Sequence, residues 1–127
     1  MMRQDVQIWW LQSEDDFDAA EYNFKGGKFF LAAFMSQQAV EKALKALFLQ
    51  EKKGVVPQSH SLVYLSNETG VPHKFTSFLR ELTPKFIDTR YPDAAVDLPS
   101  RIYDQKNTEK FLVGAKEVIS WVKTRLK

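Results

Sequence analysis

Apolar residues recur every three or four positions through most of this chain, which is the spacing of one face of an α-helix. The first such stretch runs from about Asp5 to Lys25 and the second from about Lys28 to Lys52, with two glycines between them that favour a helix end. Shorter stretches with the same spacing cover residues 59–70, 75–86 and 107–126. The sequence lacks the sustained alternation of apolar and polar residues that predicts a strand.

Capping and helix-breaking residues set the expected helix ends. Ser59 or Ser61 is suited to cap the third helix, and Pro84 should kink or split the fourth. The last helix is expected to begin near Asn107 or Thr108. The pattern therefore predicts an all-α fold, an up-and-down bundle of four to five helices.

The composition agrees with a single soluble domain spanning residues 1–127. Hydrophobic residues make up 44% of the chain and charged residues 27%, as in ordinary globular proteins. Cysteine is absent, which excludes a disulfide framework, a thiolate nucleophile and a cysteine-based zinc site. The first residues do not resemble a signal peptide, and no apolar run is long enough to span a membrane. We therefore expect a cytoplasmic protein that needs no cofactor.

Charge is distributed unevenly along the chain. Residues 1–24 carry a net charge of −5, whereas the remaining residues carry +7. A basic remainder can approach phosphate groups, although scattered lysines also serve solubility alone. No segment predicts an element that reads a DNA groove.

The second predicted helix carries a polar row opposite its apolar face. The row consists of Gln38, Glu41, Lys42 and Lys45, which fall within about 100° of each other on a helical projection. Its ammonium and amide groups are suited to bind a phosphate and a base or ribose. The alternative is that the row is merely the solvent-facing side of the helix, with Glu41 and Lys45 as an ordinary i,i+4 pair.

The side of the helix that carries the polar row is apolar in the N-terminal half of the helix. Leu31, Phe34 and Met35 stand there, where solvent-facing polar residues are expected. These three side chains need to be covered by another helix or by a second copy of the chain. They are our candidate dimer interface.

His60 and His73 are the only two histidines, too few for a metal site without carboxylates. Their imidazoles are the side chains best suited to acid-base chemistry near neutral pH. His60, between two serines at a helix start, is a candidate catalytic residue or else a loop residue with a hydrogen-bonded ring. His73 is expected to be exposed and without a special role.

The segment RYPD, residues 90–93, lies in the least regular part of the chain. Arg90 offers a guanidinium fork for a carboxylate or phosphate, Tyr91 an aromatic ring for stacking on a base, and Asp93 a carboxylate to orient Arg90. The alternative is a structural corner in which Tyr91 packs and Arg90 pairs with Asp88 or Asp93. Both interpretations are open at this point.

These residues together resemble the HEPN domain, the family named for higher eukaryotic and prokaryotic nucleotide binding. The resemblance covers nearly the whole chain. The stretches that carry it are WLQSEDDFDAAEY (10–22), FFLAAFMSQQAVEKALKALF (29–48), SHSL (59–62), TRYPD (89–93) and a closing amphipathic helix. The resemblance implies a bundle of four or five helices that commonly dimerises.

The resemblance also implies two kinds of function. Many HEPN proteins are encoded beside a minimal nucleotidyltransferase as a toxin and antitoxin pair, and others are metal-independent ribonucleases. The ribonuclease branch is marked by an arginine and a histidine four to six residues apart. The windows after Arg80, Arg90 and Arg101 contain no histidine, so this motif is missing here.

We therefore expect a homodimeric binding module that associates with nucleotide or RNA and with a separately encoded nucleotidyltransferase. The missing motif argues against enzymatic activity. An atypical ribonuclease that uses Arg90 and His60 is the first alternative, and a helical scaffold without any ligand is the second.

Phe34→Glu or Leu31→Glu is expected to weaken association of the chain without unfolding the monomer, because a buried carboxylate opposes an apolar interface. Sedimentation velocity measures the association and far-UV circular dichroism the helical content. Loss of all helical signal would show instead that these residues belong to the internal core.

Overall fold

Long helices at both ends of the chain frame the structure, a computed structural model that describes residues 2–52 and 54–127. The regular structure in this part of the chain is helical throughout. Its helices are α1 (Gln4–Lys25), α2 (Phe29–Lys52), α3 (Leu62–Thr69), α4 (Thr76–Leu82), α5 (Lys85–Asp88), α6 (Pro92–Ala95), α7 (Pro99–Ile102) and α8 (Gln105–Arg125). The predicted all-α helical bundle is confirmed.

Helix α2 lies at the centre of the bundle. A three-residue turn joins it to α1, and the two helices pack along their lengths as an antiparallel hairpin. Gly27 has a φ of 79°, the left-handed conformation that glycine adopts at low cost. Helix α8 packs on another side of α2, and α3 and α5 close the remaining side.

The core is made by the apolar faces that the sequence pattern predicts. The fully buried aliphatic side chains come from five helices: Val6, Val40, Leu44, Leu47, Leu62, Leu65, Leu79, Leu82, Val118 and Val122. Removing such side chains from water is the main stabilising contribution, about 1.5–3 kcal/mol for each of the larger ones. None of the helices within the described residues has the length and apolarity required to cross a membrane.

Most of the predicted helix ends agree with the structure. Ser61 caps α3, since its Oγ accepts a hydrogen bond from the backbone N–H of Tyr64 at 3.2 Å. Pro84 separates α4 from α5, as its missing N–H and fixed φ require.

The predicted start of the last helix was wrong by a few residues. Helix α8 begins at Gln105, and its N-cap is Asp104 rather than Asn107 or Thr108. The Asp104 carboxylate accepts the Asn107 N–H at 2.7 Å, and the Asn107 side-chain oxygen accepts the Asp104 N–H at 2.9 Å. The reason is a reciprocal capping box, in which Asn107 is the partner of the cap and not the cap itself.

A close contact between α4 and α8 is made where α8 has a glycine. A Cβ atom at Gly114 would overlap the ring of Phe78, far inside van der Waals contact. The ring therefore occupies the space that any other residue at position 114 would fill.

Gly114→Ala is expected to destabilise the protein by about 1 kcal/mol, because overpacking outweighs the usual gain of alanine over glycine inside a helix. Urea unfolding gives the free energy. In a Phe78→Leu background the same substitution should become neutral or stabilising. A Gly114→Ala protein that is more stable than the parent would contradict the close packing.

Candidate functional site

The middle of α2 turns a polar edge into the protein, not toward solvent. Glu41 is 3% exposed and Lys45 5%, whereas Gln38 and Lys42 are half-buried. The interpretation of this row as the solvent-facing side of the helix was therefore wrong for Glu41 and Lys45. The ammonium of Lys45 lies 5.8 Å from the ring centre of Trp9, which shows that α1 covers this end of the row.

The carboxylate of Glu41 receives three hydrogen bonds inside the protein. Its Oε2 accepts from the ammonium of Lys45 at 3.0 Å. Its Oε1 accepts from the side-chain amide of Gln37 at 3.1 Å and lies 3.0 Å from Nδ1 of His60. A buried carboxylate is tolerable only when such donors replace its water shell.

Gln37 ties the helix to the loop that carries His60. Its side chain is fully buried, and the same Nε2 that bonds Glu41 also donates to the backbone carbonyl of His60 at 3.3 Å. Its side-chain oxygen accepts from the amide of Gln38 at 2.7 Å. The amide is therefore satisfied on both its nitrogen and its oxygen.

Helix α1 extends this network from the other side. The Asp16 carboxylate, 5% exposed as a residue, accepts from the ammonium of Lys42 at 2.5 Å and from the amide of Gln12 at 2.8 Å. Lys42 also approaches the side-chain oxygen of Gln38 at 3.4 Å. A continuous chain of polar contacts thus runs from α1 through α2 to the His60 loop.

The ring of His60 lies flat against an aromatic ring from α5. The centres of the His60 and Phe86 rings are 4.4 Å apart, with 27° between their planes. The His60 side chain is half exposed, and no described residue hydrogen-bonds its Nε2. One edge of the imidazole therefore faces the buried Glu41 and the rest lies at the surface.

Arg90 is brought to the same place. Its Nε donates to the backbone carbonyl of Phe86 at 2.6 Å, and its guanidinium lies 4.7 Å from the ring centre of Phe34 and 5.3 Å from that of Tyr91. Phe86 thus touches His60 through its ring and Arg90 through its carbonyl. His60 and Arg90, 30 positions apart in sequence, are therefore linked through one residue of α5.

The interpretation of RYPD as a structural corner was wrong in one respect, the expected ion pair between Arg90 and Asp88 or Asp93. No described carboxylate pairs with Arg90, which is exposed, and Asp93 lies exposed in the first turn of α6 without orienting it. Tyr91 is 49% exposed and so is not packed into the interior. The turn itself is as expected, with Pro92 at the start of α6.

Asp88 serves a different partner. It accepts from the hydroxyl of Tyr103 at 2.6 Å and from the ammonium of Lys85 at 3.1 Å. Burial, together with the hydrogen bond to Asp88 and its charge, raises the pKa of Tyr103 well above its usual range. The hydroxyl therefore stays protonated and ties the end of the irregular segment to α5, the helix that precedes Arg90.

The predicted apolar patch borders this surface. Leu31, Phe34 and Met35 are each half-buried, and part of the cover of Phe34 is the guanidinium of Arg90. Their role as a dimer interface stays a prediction. His73 is exposed, as expected, in a short turn ahead of α4.

Sequence reasoning missed Gln37, Asp16 and Phe86. Asp16 and the buried Ser13 fall on the apolar stripe of α1, and polar residues in such a stripe signal internal hydrogen bonds. Gln37 precedes Glu41 by one helical turn, a spacing that brings side chains together. Phe86 gave no signal beyond its apolar character, because its contacts with His60 and Arg90 depend on the tertiary fold.

The described residues contain no cluster of three or more histidine, aspartate or glutamate side chains arranged to hold a metal ion. The arrangement is instead a polar network that ends in a half-exposed imidazole beside an exposed guanidinium, with aromatic rings around both. Such groups suit hydrogen bonding to phosphate and stacking on a base.

Comparison with known proteins identifies the family. The model of the HEPN domain matches residues 6–125, so the chain belongs to the HEPN domain family. The crystal structure of TT1696 from Thermus thermophilus has a TM-score of 0.88 and 29% identity, and the alignment covers 98% of this chain and all of that one. A crystal structure described as ST0689, an archaeal HEPN homologue, has a TM-score of 0.77 and 32% identity, with both chains covered in full. No curated protein matches the sequence.

Lys45→Met is expected to destabilise the protein by about 3 kcal/mol, because it leaves the buried Glu41 carboxylate without its cation. The double variant Glu41→Met/Lys45→Met should cost much less, because it removes both charges and keeps the volume. Urea unfolding measures all the free energies.

Arg101→Met is the matched control, since Arg101 and Asp97 form an exposed pair. Exposed ion pairs contribute about 1 kcal/mol or less to the free energy of unfolding, so Arg101→Met should change it little. Equal losses for Lys45→Met and Arg101→Met would show that the Glu41–Lys45 pair behaves as a surface pair.

Proposed function

We propose that this HEPN domain protein is a binding module for nucleotide or RNA, and that the ligand binds at the surface formed by His60, Phe86, Arg90 and Tyr91, called here the Arg90 surface. The observation that carries the proposal is that Arg90 is exposed and leaves most of its hydrogen-bond donors unused by the described residues. Its guanidinium is exposed and held between aromatic rings, and its bond to the Phe86 carbonyl uses only Nε. The described residues bond neither of its terminal nitrogens.

The chemistry of this surface fits a phosphate with a neighbouring base. An exposed guanidinium whose terminal N–H groups bond no described residue can donate to two phosphate oxygens, and its contacts with Phe34 and the Phe86 carbonyl limit its freedom beforehand. Tyr91 offers an exposed ring on which an unpaired base can stack. Single-stranded RNA and free nucleotides both present this combination.

The polar row of α2 has a supporting role in this proposal. Lys42 is paired with Asp16, and Lys45 with Glu41, so neither ammonium is available to a phosphate without breaking an internal bond. The row instead connects α1, α2 and the loop that carries His60, one of the residues of the Arg90 surface. Gln38 and Lys42, which are half-buried, form its rim.

We further propose that the protein works as a homodimer with a separately encoded minimal nucleotidyltransferase, in the manner of a toxin and antitoxin pair. Membership of the HEPN family supports this proposal. So does the half-buried patch of Leu31, Phe34 and Met35, because it adjoins Arg90 and a second copy there would enclose the Arg90 surface. Co-purification with the product of the adjacent gene tests the partnership.

A second candidate function is an atypical metal-independent ribonuclease. The observations that favour it are the Glu41 carboxylate 3.0 Å from Nδ1 of His60 and the stacking of that imidazole on Phe86, whose carbonyl Arg90 bonds, although the family's arginine-to-histidine spacing is missing. In this reaction Arg90 binds the phosphate and His60 removes the proton of the ribose 2′-hydroxyl, whose oxygen attacks phosphorus as the bond from phosphorus to the 5′-oxygen breaks and that oxygen takes a proton from water. Cleavage of RNA that survives both Arg90→Ala and His60→Ala would rule this function out.

Arg90→Ala is expected to weaken binding of single-stranded RNA by about tenfold to a hundredfold, since a charged hydrogen bond contributes roughly 1.5–3 kcal/mol. The dependence of affinity on salt should also fall by about one phosphate contact. Fluorescence anisotropy with a labelled oligonucleotide measures both quantities.

Arg101→Ala removes an exposed arginine from the same irregular segment and should change the affinity little. Circular dichroism checks that both variants keep the helical fold. Equal affinities of the parent and Arg90→Ala would overturn the proposed site.

A further inference from the structure

We infer that Gln37 and Glu41 are positioning residues for His60, and that they present its Nε2 as a hydrogen-bond acceptor for a ribose hydroxyl of the ligand. The inference rests on the proposed function of the Arg90 surface. It adds a defined role for two buried side chains that do not themselves touch the ligand.

The two side chains hold His60 at two separate points. The Gln37 amide bonds the His60 backbone carbonyl at 3.3 Å, and the Glu41 carboxylate lies 3.0 Å from ring Nδ1. Stacking on Phe86, with ring centres 4.4 Å apart, fixes the plane of the ring. Backbone, ring direction and ring plane are therefore all determined before a ligand arrives.

The contact with Glu41 also selects the position of the ring hydrogen. An ionised carboxylate only accepts hydrogen bonds, so Nδ1 must be the nitrogen that carries hydrogen in the neutral ring. Nε2 is then the nitrogen with the free lone pair. No described residue donates to it, and the side chain is half exposed, so this lone pair is available at the surface.

Charge neutralisation alone does not explain this geometry. The ammonium of Lys45 already provides Glu41 with a buried counter-ion through Oε2. The other oxygen, Oε1, contacts the Gln37 amide and Nδ1 of His60. Gln37 also bonds the backbone carbonyl of His60, so both side chains hold the same residue. Both buried groups thus converge on one half-exposed imidazole, the pattern of support beneath a binding residue.

A hydrogen-bond acceptor beside a phosphate-binding arginine distinguishes ribose from deoxyribose. The 2′-hydroxyl of RNA can donate to Nε2, whereas DNA has no donor at that carbon. We therefore expect RNA to bind more tightly than DNA of the same sequence, by about fivefold for one neutral hydrogen bond.

The first test determines which ring nitrogen of His60 carries the hydrogen. Long-range proton–nitrogen NMR of the full-length protein, recorded at a pH where the rings are neutral, should show His60 fixed with hydrogen on Nδ1. His73, the other histidine and an exposed one, is the internal reference and should show exchange between tautomers. In Glu41→Met/Lys45→Met, His60 should come to resemble His73. A parent protein in which His60 already resembles His73 would overturn the positioning role.

The second test compares an oligoadenylate RNA with the DNA of the same sequence by fluorescence anisotropy. The parent should prefer RNA about fivefold, and both His60→Ala and Glu41→Met/Lys45→Met should lose that preference. His73→Ala should retain it. Equal binding of RNA and DNA by the parent, or a preference that survives His60→Ala, would overturn the inference while leaving the Arg90 surface intact. Failure of the parent to bind either probe would instead overturn the proposed function itself, and with it the ribose assignment.

Discussion

The hydrogen bonds around the Glu41 carboxylate are the constraint on which the rest of this structure depends. Removing a carboxylate from water is costly unless donors surround it, and here an ammonium, an amide and an imidazole do so. These three donors come from one helix and from the loop that follows it. Satisfying the charge therefore determines where that loop lies against α2, and His60 with it.

The same logic extends to α1. Its Asp16 is almost as buried as Glu41 and takes the ammonium of Lys42, so α1 and α2 are joined by a charged contact as well as by apolar packing. Breaking this pair by sliding one helix along the other would leave the buried Asp16 carboxylate without its cation, a cost that apolar packing alone does not impose. On the opposite side, Tyr103 and Asp88 fix the irregular segment against α5. Together these contacts tie α1, the His60 loop and the irregular segment to the helices that carry His60 and Arg90.

The chain belongs to the HEPN family, but its sequence lacks the arginine-to-histidine motif of the family's ribonucleases. The residues that meet at the Arg90 surface come from separate parts of the sequence, since His60 precedes α3 and Arg90 follows α5. An arginine and a histidine thus contact the same residue, Phe86, although they lie far apart along the chain. Function in this family member is better judged from that geometry than from spacing.

The sequence by itself determined the long helices and the all-α class, because apolar spacing, glycines and prolines act locally, whereas the short helices α6 and α7 were not predicted. The hairpin of α1 and α2, the Ser61 cap and the break at Pro84 all follow from such local preferences. Tertiary structure alone decided whether the polar row is exposed. Glu41 and Lys45 are at polar positions of α2, and yet α1 and the His60 loop bury them. It also decided that Arg90 lies against the ring of Phe34 and pairs with none of the carboxylates that the structure describes. Helical periodicity records which residues share a face, but what covers that face depends on residues distant in sequence.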